Sequence, residues 1–213
     1  LLITFLAAVF TSSYTVQIKE KARLSQQDAY RSSVILDTSQ LLQKAATPAD
    51  ILSCTARQLN KLLKRDITCF EQDGAGLKSP LCFREYSSPV TGRGPSPDTL
   101  EELTAARRCF QEGKETGAST GLFPSAAYHF LPLQSSGAVY GVIGILAGDT
   151  PPGDFENSMA VAITGQCSMA LEKEYISRKR EEEAAMARAE QLRSNLLRSI
   201  SHDLRTPLTS ISG

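Results

Sequence analysis

The sequence predicts an α+β fold, an antiparallel sheet with helices packed on one face, followed by a long helix that leaves the domain. Three observations predict it. Two helical patterns precede the first β-prone run, and the strongest β signals, Tyr128 to Leu133 and Val139 to Ala147, flank Gly137 as a hairpin would. Between Phe155 and Pro207 the only helix breaker is Gly165. Strands and helices that do not alternate one by one point to an α+β rather than a parallel α/β architecture.

The chain opens apolar from Leu1 to Phe10 and reaches charge only at Lys19, Lys21 and Arg23. As a helix, Leu1 to Ile18 would extend about 27 Å, just short of a bilayer core. Positive charge directly after the apolar run is the pattern of a cytoplasmic flank, whereas a secretory signal carries its charge first. Residues 1–18 are therefore expected to be the end of a transmembrane helix, with the remainder of the chain facing the cytoplasm. Lys19 to Lys44 reads as one helix with a stripe of Ala29, Ser33, Leu36 and Gln40, and Val34, Leu41 and Leu42 beside it.

Thr47, Pro48 and Asp50 then form a helix-start signal, with a capping hydroxyl, a proline in the first turn and a carboxylate three residues on. Leu52, Ala56, Leu59 and Leu63 give that helix one apolar face. Ile67 to Phe70 and Leu81 to Tyr86 are β-prone, separated by the turn Asp73-Gly74-Ala75-Gly76. Ser87 to Pro97 reads as loop, and a helix starting at Ser96 or Asp98 runs to Gln111 and stops at Gly113. Gly117 to Pro124 is loop again. The Val139 run is apolar on both alternating sets, Val139, Ile143 and Ile145 against Tyr140, Val142 and Leu146, so this strand should be central and covered on both faces.

Composition narrows the function. Of 213 residues 41% are hydrophobic, enough for a real core, and 23 basic residues balance 23 acidic ones. With no basic excess to neutralise phosphates, nucleic acid is not expected as a partner. Cys54, Cys69, Cys82, Cys109 and Cys167 lack the paired spacing of a disulfide framework or a zinc site, so they are expected to be thiols and no metal is expected. His129, between Tyr128 and Phe130, could line a pocket but is more simply a structural histidine. The run Arg178 to Glu183 is a solvated helix face. Leu171, Tyr175, Ala185, Ala189, Leu192 and Leu196 fit one heptad seam, interrupted by Arg178 and Glu182. From Leu192 the steps become four residues, through Leu196 and Ile200 to Leu204, which locally unwinds a left-handed coiled coil.

At the end of that helix stands Ser201-His202-Asp203-Leu204-Arg205-Thr206-Pro207-Leu208. These eight residues resemble the histidine box of sensor histidine kinases, and the element order of about Gln27 to Glu174 is similar to a GAF domain, a small sensory fold. Glu115-Thr116-Gly117-Ala118 through Pro124, then Tyr128 and Leu131-Pro132-Leu133, resemble the GAF segment of potassium-responsive sensor kinases. One loop departs, with Ser119-Thr120-Gly121-Leu122 where that family carries Gly-Thr-Asp-Thr, so an acidic and a hydroxyl side chain are gone.

The resemblance implies a division into residues 1–18, end of a membrane helix; 19–174, a GAF-like sensory domain with its N-terminal helix; and 175–213, a signalling helix and the start of a dimerisation and phosphoacceptor domain. It implies a histidine kinase of the inner membrane in which His202 accepts phosphate, Asp203 accepts a proton or orients the ring, and Thr206 positions water for dephosphorylating the regulator. ATP with magnesium would bind in a domain after Gly213, since no nucleotide-binding box occurs here, and this segment alone is expected to be inactive and to hold no cofactor. The implied partners are a response regulator and a second copy of the chain, and the implied stimulus is potassium or osmotic. Two other readings stay open at this point: a small-molecule-binding GAF module and a dimerising adaptor without catalysis.

Overall fold

A computed structural model describes residues 21, 25–84, 96–118, 120–148 and 152–211. The chain divides into two compact units, Leu1–Leu171 and Glu172–Gly213. In order, the first contains helix α1 (25–44), α2 (Pro48–Leu63), β1 (Ile67–Asp73), β2 (Gly76–Leu77), β3 (Leu81–Phe83), α3 (Leu100–Glu112), β4 (Thr116–Gly117), β5 (Tyr128–Ser135), β6 (Ala138–Leu146) and the first part of α4 (Asp154–Ile211). The remainder of α4 forms the second unit. Among the described residues no helix is long and apolar enough to cross a membrane; the expected membrane segment, 1–18, and most of the Ser87 to Pro97 loop lie outside them.

Local chemistry sets the element ends. The Thr47 hydroxyl accepts from the Asp50 N–H at 3.1 Å and the Asp50 carboxylate accepts from the Thr47 N–H at 3.2 Å, closing the expected capping box. Helix α2 ends at Lys64, which takes left-handed backbone. Helix α3 starts at Leu100, two residues past Asp98 and four past Ser96, because Thr99 caps it, and it ends at Gly113 in the left-handed region. Ser136 and Gly137 both have positive φ between the paired residues Ser135 and Ala138, as a two-residue type I′ hairpin requires.

The sheet runs β2-β1-β6-β5-β4, and β3 also pairs with β1. All pairs are antiparallel; Ile67 stands opposite Ile145 between β1 and β6, and Phe130 opposite Gly144 between β5 and β6. Strand β6 is central, as its doubly apolar pattern predicts, but the expected sets hold only beyond Gly141: a register shift opposite Pro132–Gln134 brings Tyr140 to the Ile143 side, and the later residues enter separate cores. Ile143 and Ile145 join Leu42 of α1, Leu52, Ala56 and Leu59 of α2, and Ala160, Ile163, Cys167 and Leu171 of α4. Val142 joins Phe70, Tyr128 and Phe130 with Ala105, Ala106 and Cys109 of α3.

Helices thus cover both faces of the sheet, not the single face expected. The physical reason lies in α3, whose Ala105, Ala106 and Cys109 form a narrow apolar stripe that lets it sit close to Phe70 and Phe130. The α1 stripe is also corrected. Thr38 and Leu42 are buried and Val34 packs against the core, while Ala29, Ser33, Leu36 and Gln40 are exposed. The Thr38 hydroxyl donates to the Val34 carbonyl at 2.7 Å, so a polar residue fits the buried face without an unpaired group.

Candidate functional site

The expected phosphoacceptor residues all fall on the last turns of α4, where residues 201–211 have helical backbone. A period of about 3.6 residues per turn puts Thr206 one turn beyond His202 on the same helix face, with Asp203 adjacent around the helix. The side chains of these three residues lie outside the described part of the structure. Pro207 stands within the helix, which continues to Ile211. Lacking an N–H, it cannot donate to the Asp203 carbonyl one turn back.

Upstream of this stretch the large apolar side chains of the second unit face solvent. Tyr175, Met186, Leu192, Leu196, Leu197 and Ile200 are all at least half exposed, and Arg178 pairs with Glu182 at 3.3 Å across one turn. The expected seam needs one correction. Leu171 is buried in the core of the sheet unit, so it is committed there and the seam starts at Tyr175.

Inside the sheet unit, sequence reasoning missed a buried carboxylate. Glu102, in the first turn of α3, is 4% exposed. The N–H groups of Ala127 and Tyr128 face its carboxylate, and that of Ala127 donates to Oε1; Oε2 is buried with no hydrogen-bond partner. Burial raises its pKa above the ordinary carboxylate value; the two backbone donors oppose that shift, and Glu101 beside it adds to it. The Ser125 hydroxyl donates to Glu101, so two adjacent carboxylates tie α3 to the segment entering β5. In the sequence, Glu101-Glu102 looks like an ordinary acidic first turn; the one available signal was its place three residues after a capping threonine.

The space between α3 and the sheet is filled by the protein's own rings. Phe70 and Phe130 meet edge to face at 6.0 Å, and Phe130 lies so close to Gly144 that an added Cβ would stand 2.7 Å from the ring. Gly117 has φ +92° and its backbone is closed against Tyr128, whose carbonyl a Cβ would meet at 2.1 Å. The Thr116 hydroxyl donates to the Ala105 carbonyl at 2.8 Å. Burial pushes the Tyr128 phenol and the Cys109 thiol up to about 12 each. Burial likewise raises Cys69 and holds Cys167 at about 12, so these three cysteines are un-ionised small hydrophobes, while Cys82 is exposed.

His129 is half-buried on β5. Its Nδ1 stands 2.9 Å from the Ala118 carbonyl, which can only accept, so Nδ1 carries the hydrogen; Nε2 is 3.3 Å from a Glu115 oxygen. This fastens β5 to the start of the loop where the sequence departs from the kinase pattern. There the Thr120 hydroxyl is taken up within the loop, 2.7 Å from the carbonyls of Gly117 and Leu122. An open groove of about 570 Å³ lies at the β1–β2 hairpin, where Lys78 pairs with Glu71 at 2.6 Å beside Asp73 and Ala49. Among the described residues no cluster of three His, Cys, Asp or Glu side chains is placed to hold a metal ion.

Comparison with known proteins places this architecture. The solved GAF domain of the potassium sensor histidine kinase KdpD from Escherichia coli superposes with a TM-score of 0.53 at 20% identity, covering 73% of this chain and 99% of that one. The sensor protein KdpD of Clostridium acetobutylicum is 30% identical over 215 residues, covering 99% of this chain. The chain has a GAF fold and is similar to KdpD sensor proteins along nearly its whole length. The sensor protein KdpD of Escherichia coli K12 is 26% identical over 206 residues, 93% of this chain. The chain spans 23% and 21% of the lengths of those two relatives. No protein-family model matches the chain.

Proposed function

We propose that the segment is the sensory and phosphoacceptor-bearing part of a membrane-bound, dimeric two-component sensor histidine kinase that responds to potassium or osmotic conditions at the inner membrane. The observation that carries this reading is the run Ser201 to Leu208 on the helix that leaves a GAF unit, in a chain similar to KdpD along nearly its whole length. An imidazole is nucleophilic near neutral pH. One ring nitrogen of His202 attacks the γ-phosphorus of magnesium-bound ATP, the bond to the bridging oxygen breaks, and ADP leaves. The ring proton passes to Asp203, which also holds the reactive tautomer. Phosphate then moves from His202 to an aspartate of a response regulator. Thr206, one turn on, orients water for the reverse task of clearing the regulator.

The test is labelling of the full-length protein with γ-phosphate-labelled ATP. Acid-labile, base-stable label is expected on the wild type and none on His202→Gln; label persisting in that variant defeats the assignment. Thr206→Ala should keep autophosphorylation while slowing loss of phosphate from the regulator, and equal loss of both would point to a docking defect instead.

A further inference from the structure

We propose that α1 is a releasable strap: it lifts off the sheet unit as one element, about the link at Ala45 and Ala46, while α2, α3, the sheet and α4 stay packed, and its docking at the start of α4 regulates the helix that carries His202. The regulatory part rests on the proposed function. Every other helix of the unit is tied by polar contacts. The Asn60 amide of α2 donates to the Arg65 carbonyl at 2.9 Å, and the Cys69 thiol of β1 reaches the Leu52 carbonyl at 3.9 Å. The Thr116 hydroxyl and the Glu102 carboxylate bind α3 to β4 and to the entry of β5. The Thr55 hydroxyl of α2 faces the Cys167 thiol of α4. Helix α1 has no such tie: among the described residues, none of 25–44 makes a hydrogen bond or ion pair to another element.

What holds α1 is apolar and small. From 25 to 44 only Thr38 and Leu42 are buried, and Val34 packs against the core beside them. The Thr38 hydroxyl returns to the Val34 carbonyl of its own helix, so its burial needs nothing from a neighbour. Tyr30, 53% exposed, lays its ring against Phe155 in the first turn of α4, with centroids 6.2 Å apart. Such contacts are non-directional, and a segment with few buried apolar side chains opens at a lower free energy than the core it rests on.

The face of α4 that meets Tyr30 carries a group that favours release. One turn past Phe155 it holds Met159, fully buried, and about three turns past Phe155 it holds Gln166. The Gln166 side-chain oxygen is buried with no hydrogen-bond partner. Docked α1 screens this oxygen from water, and release hydrates it, which lowers the cost of opening. The two ends of α1 also differ. Its C-terminal end stands next to the Thr47 cap that fixes α2, whereas its N-terminal end continues from the apolar opening and the basic run Lys19, Lys21 and Arg23. Tyr30 is the contact nearest that second end, so a pull or turn arriving there acts on the Tyr30–Phe155 pair before the rest of the unit.

The experiment is hydrogen exchange read by mass spectrometry on the full-length protein in lipid nanodiscs. Amides of 30–43 should exchange together, roughly 100-fold faster than those of 51–60 in α2 and 139–146 in β6. Protection equal to that of α2 overturns the strap, and so does protection that fades gradually towards residue 25, as end fraying gives. Gln166→Met removes the unpaired oxygen and should slow exchange in α1 several-fold, while Leu42→Ala should speed it several-fold, with α2 and β6 unchanged in both. Indifference of α1 to both substitutions overturns the docking described. For the regulatory part, Tyr30→Cys with Phe155→Cys, in a Cys54→Ser and Cys82→Ser background, is bridged by a short bismaleimide. The bridge should abolish the fast exchange and make autophosphorylation the same at low and high potassium. An unbridged protein that takes no phosphate defeats the proposed function, and the exchange measurements still decide the strap. A bridged protein that answers potassium as wild type does overturns the regulatory role.

Discussion

The sheet unit and the second unit solve opposite problems with the same chain. In the first, Leu52, Leu59, Phe130, Ile143 and Ile163 are removed from water, and the few buried polar groups, such as Thr38, Thr116 and Asn60, return their hydrogen bonds to backbone carbonyls. In the second, Leu192, Leu196, Leu197 and Ile200 face solvent along one helix held by its own backbone and by pairs such as Arg178–Glu182. Isolated helices of ordinary composition are marginal in water, and most helical stability comes from burying an apolar face. The difference teaches that the first unit stores its stability internally, while the second has only its own backbone bonds and ion pairs and leaves its apolar side chains uncovered.

The sharpest way to break that comparison is to delete matched side chains. Leu52→Ala removes a fully buried side chain and should cost about 2–5 kcal/mol, read as a lower urea midpoint of the isolated chain. Leu196→Ala removes an equal side chain that is 62% exposed and should change the same midpoint by no more than ~0.5 kcal/mol. Equal losses would mean that the second unit is packed after all.

The same contrast explains what the sequence disclosed. Helix α2, the β5–β6 hairpin and the central place of β6 were legible because capping, turn chemistry and doubled alternation are local signals with one structural answer. Strands β2 and β4 are two residues each, too short for any period, and exist because β1 and β5 offer them partners. The buried side of α1 was misread because Thr38 looks polar until its hydroxyl is seen bonded to Val34. Glu102 was invisible for the reverse reason, since nothing local distinguishes a buried first-turn glutamate from an exposed one. Of the candidate site, the sequence disclosed residue identity and helix phase at His202; it could not disclose that Leu171 belongs to a core and leaves the seam.

A second, subtler test concerns phase along the helix. Removing residues 179–182 from the full-length protein turns everything beyond by about 40°, because each residue turns a helix by roughly 100°. Removing seven, 178–184, leaves an offset of only about 20°. On the proposed function, autophosphorylation of the full-length protein, measured at low and high potassium, should shift more for the four-residue deletion. If both deletions and a flexible glycine insertion leave output unaltered, the helix is a tether and the contrast between the units has no bearing on signalling.

The smallest expected effect lies inside the sheet unit and sharpens the meaning of internal storage. Because burial raises the pKa of Glu102 in the folded state, the native protein holds that proton more tightly than the unfolded chain does. The associated stability is fully present below the unfolded value of about 4.3 and is lost as pH rises through the folded value, leaving an ionisation cost at neutral pH. Glu102→Gln keeps an acceptor for the Ala127 N–H and cannot ionise, although its amide puts a donor where Oε2 has no partner. That misfit is the same at every pH, so the informative quantity is a slope. The midpoint of the variant relative to wild type should move upward between pH 4 and pH 7 in thermal unfolding of the isolated chain. Glu101→Gln serves as the control for the neighbouring charge that pushes in the same direction. A difference that stays flat across this range would show that Glu102 ionises as freely as an exposed residue, and that its contacts with Ala127 and Tyr128 offset the burial completely.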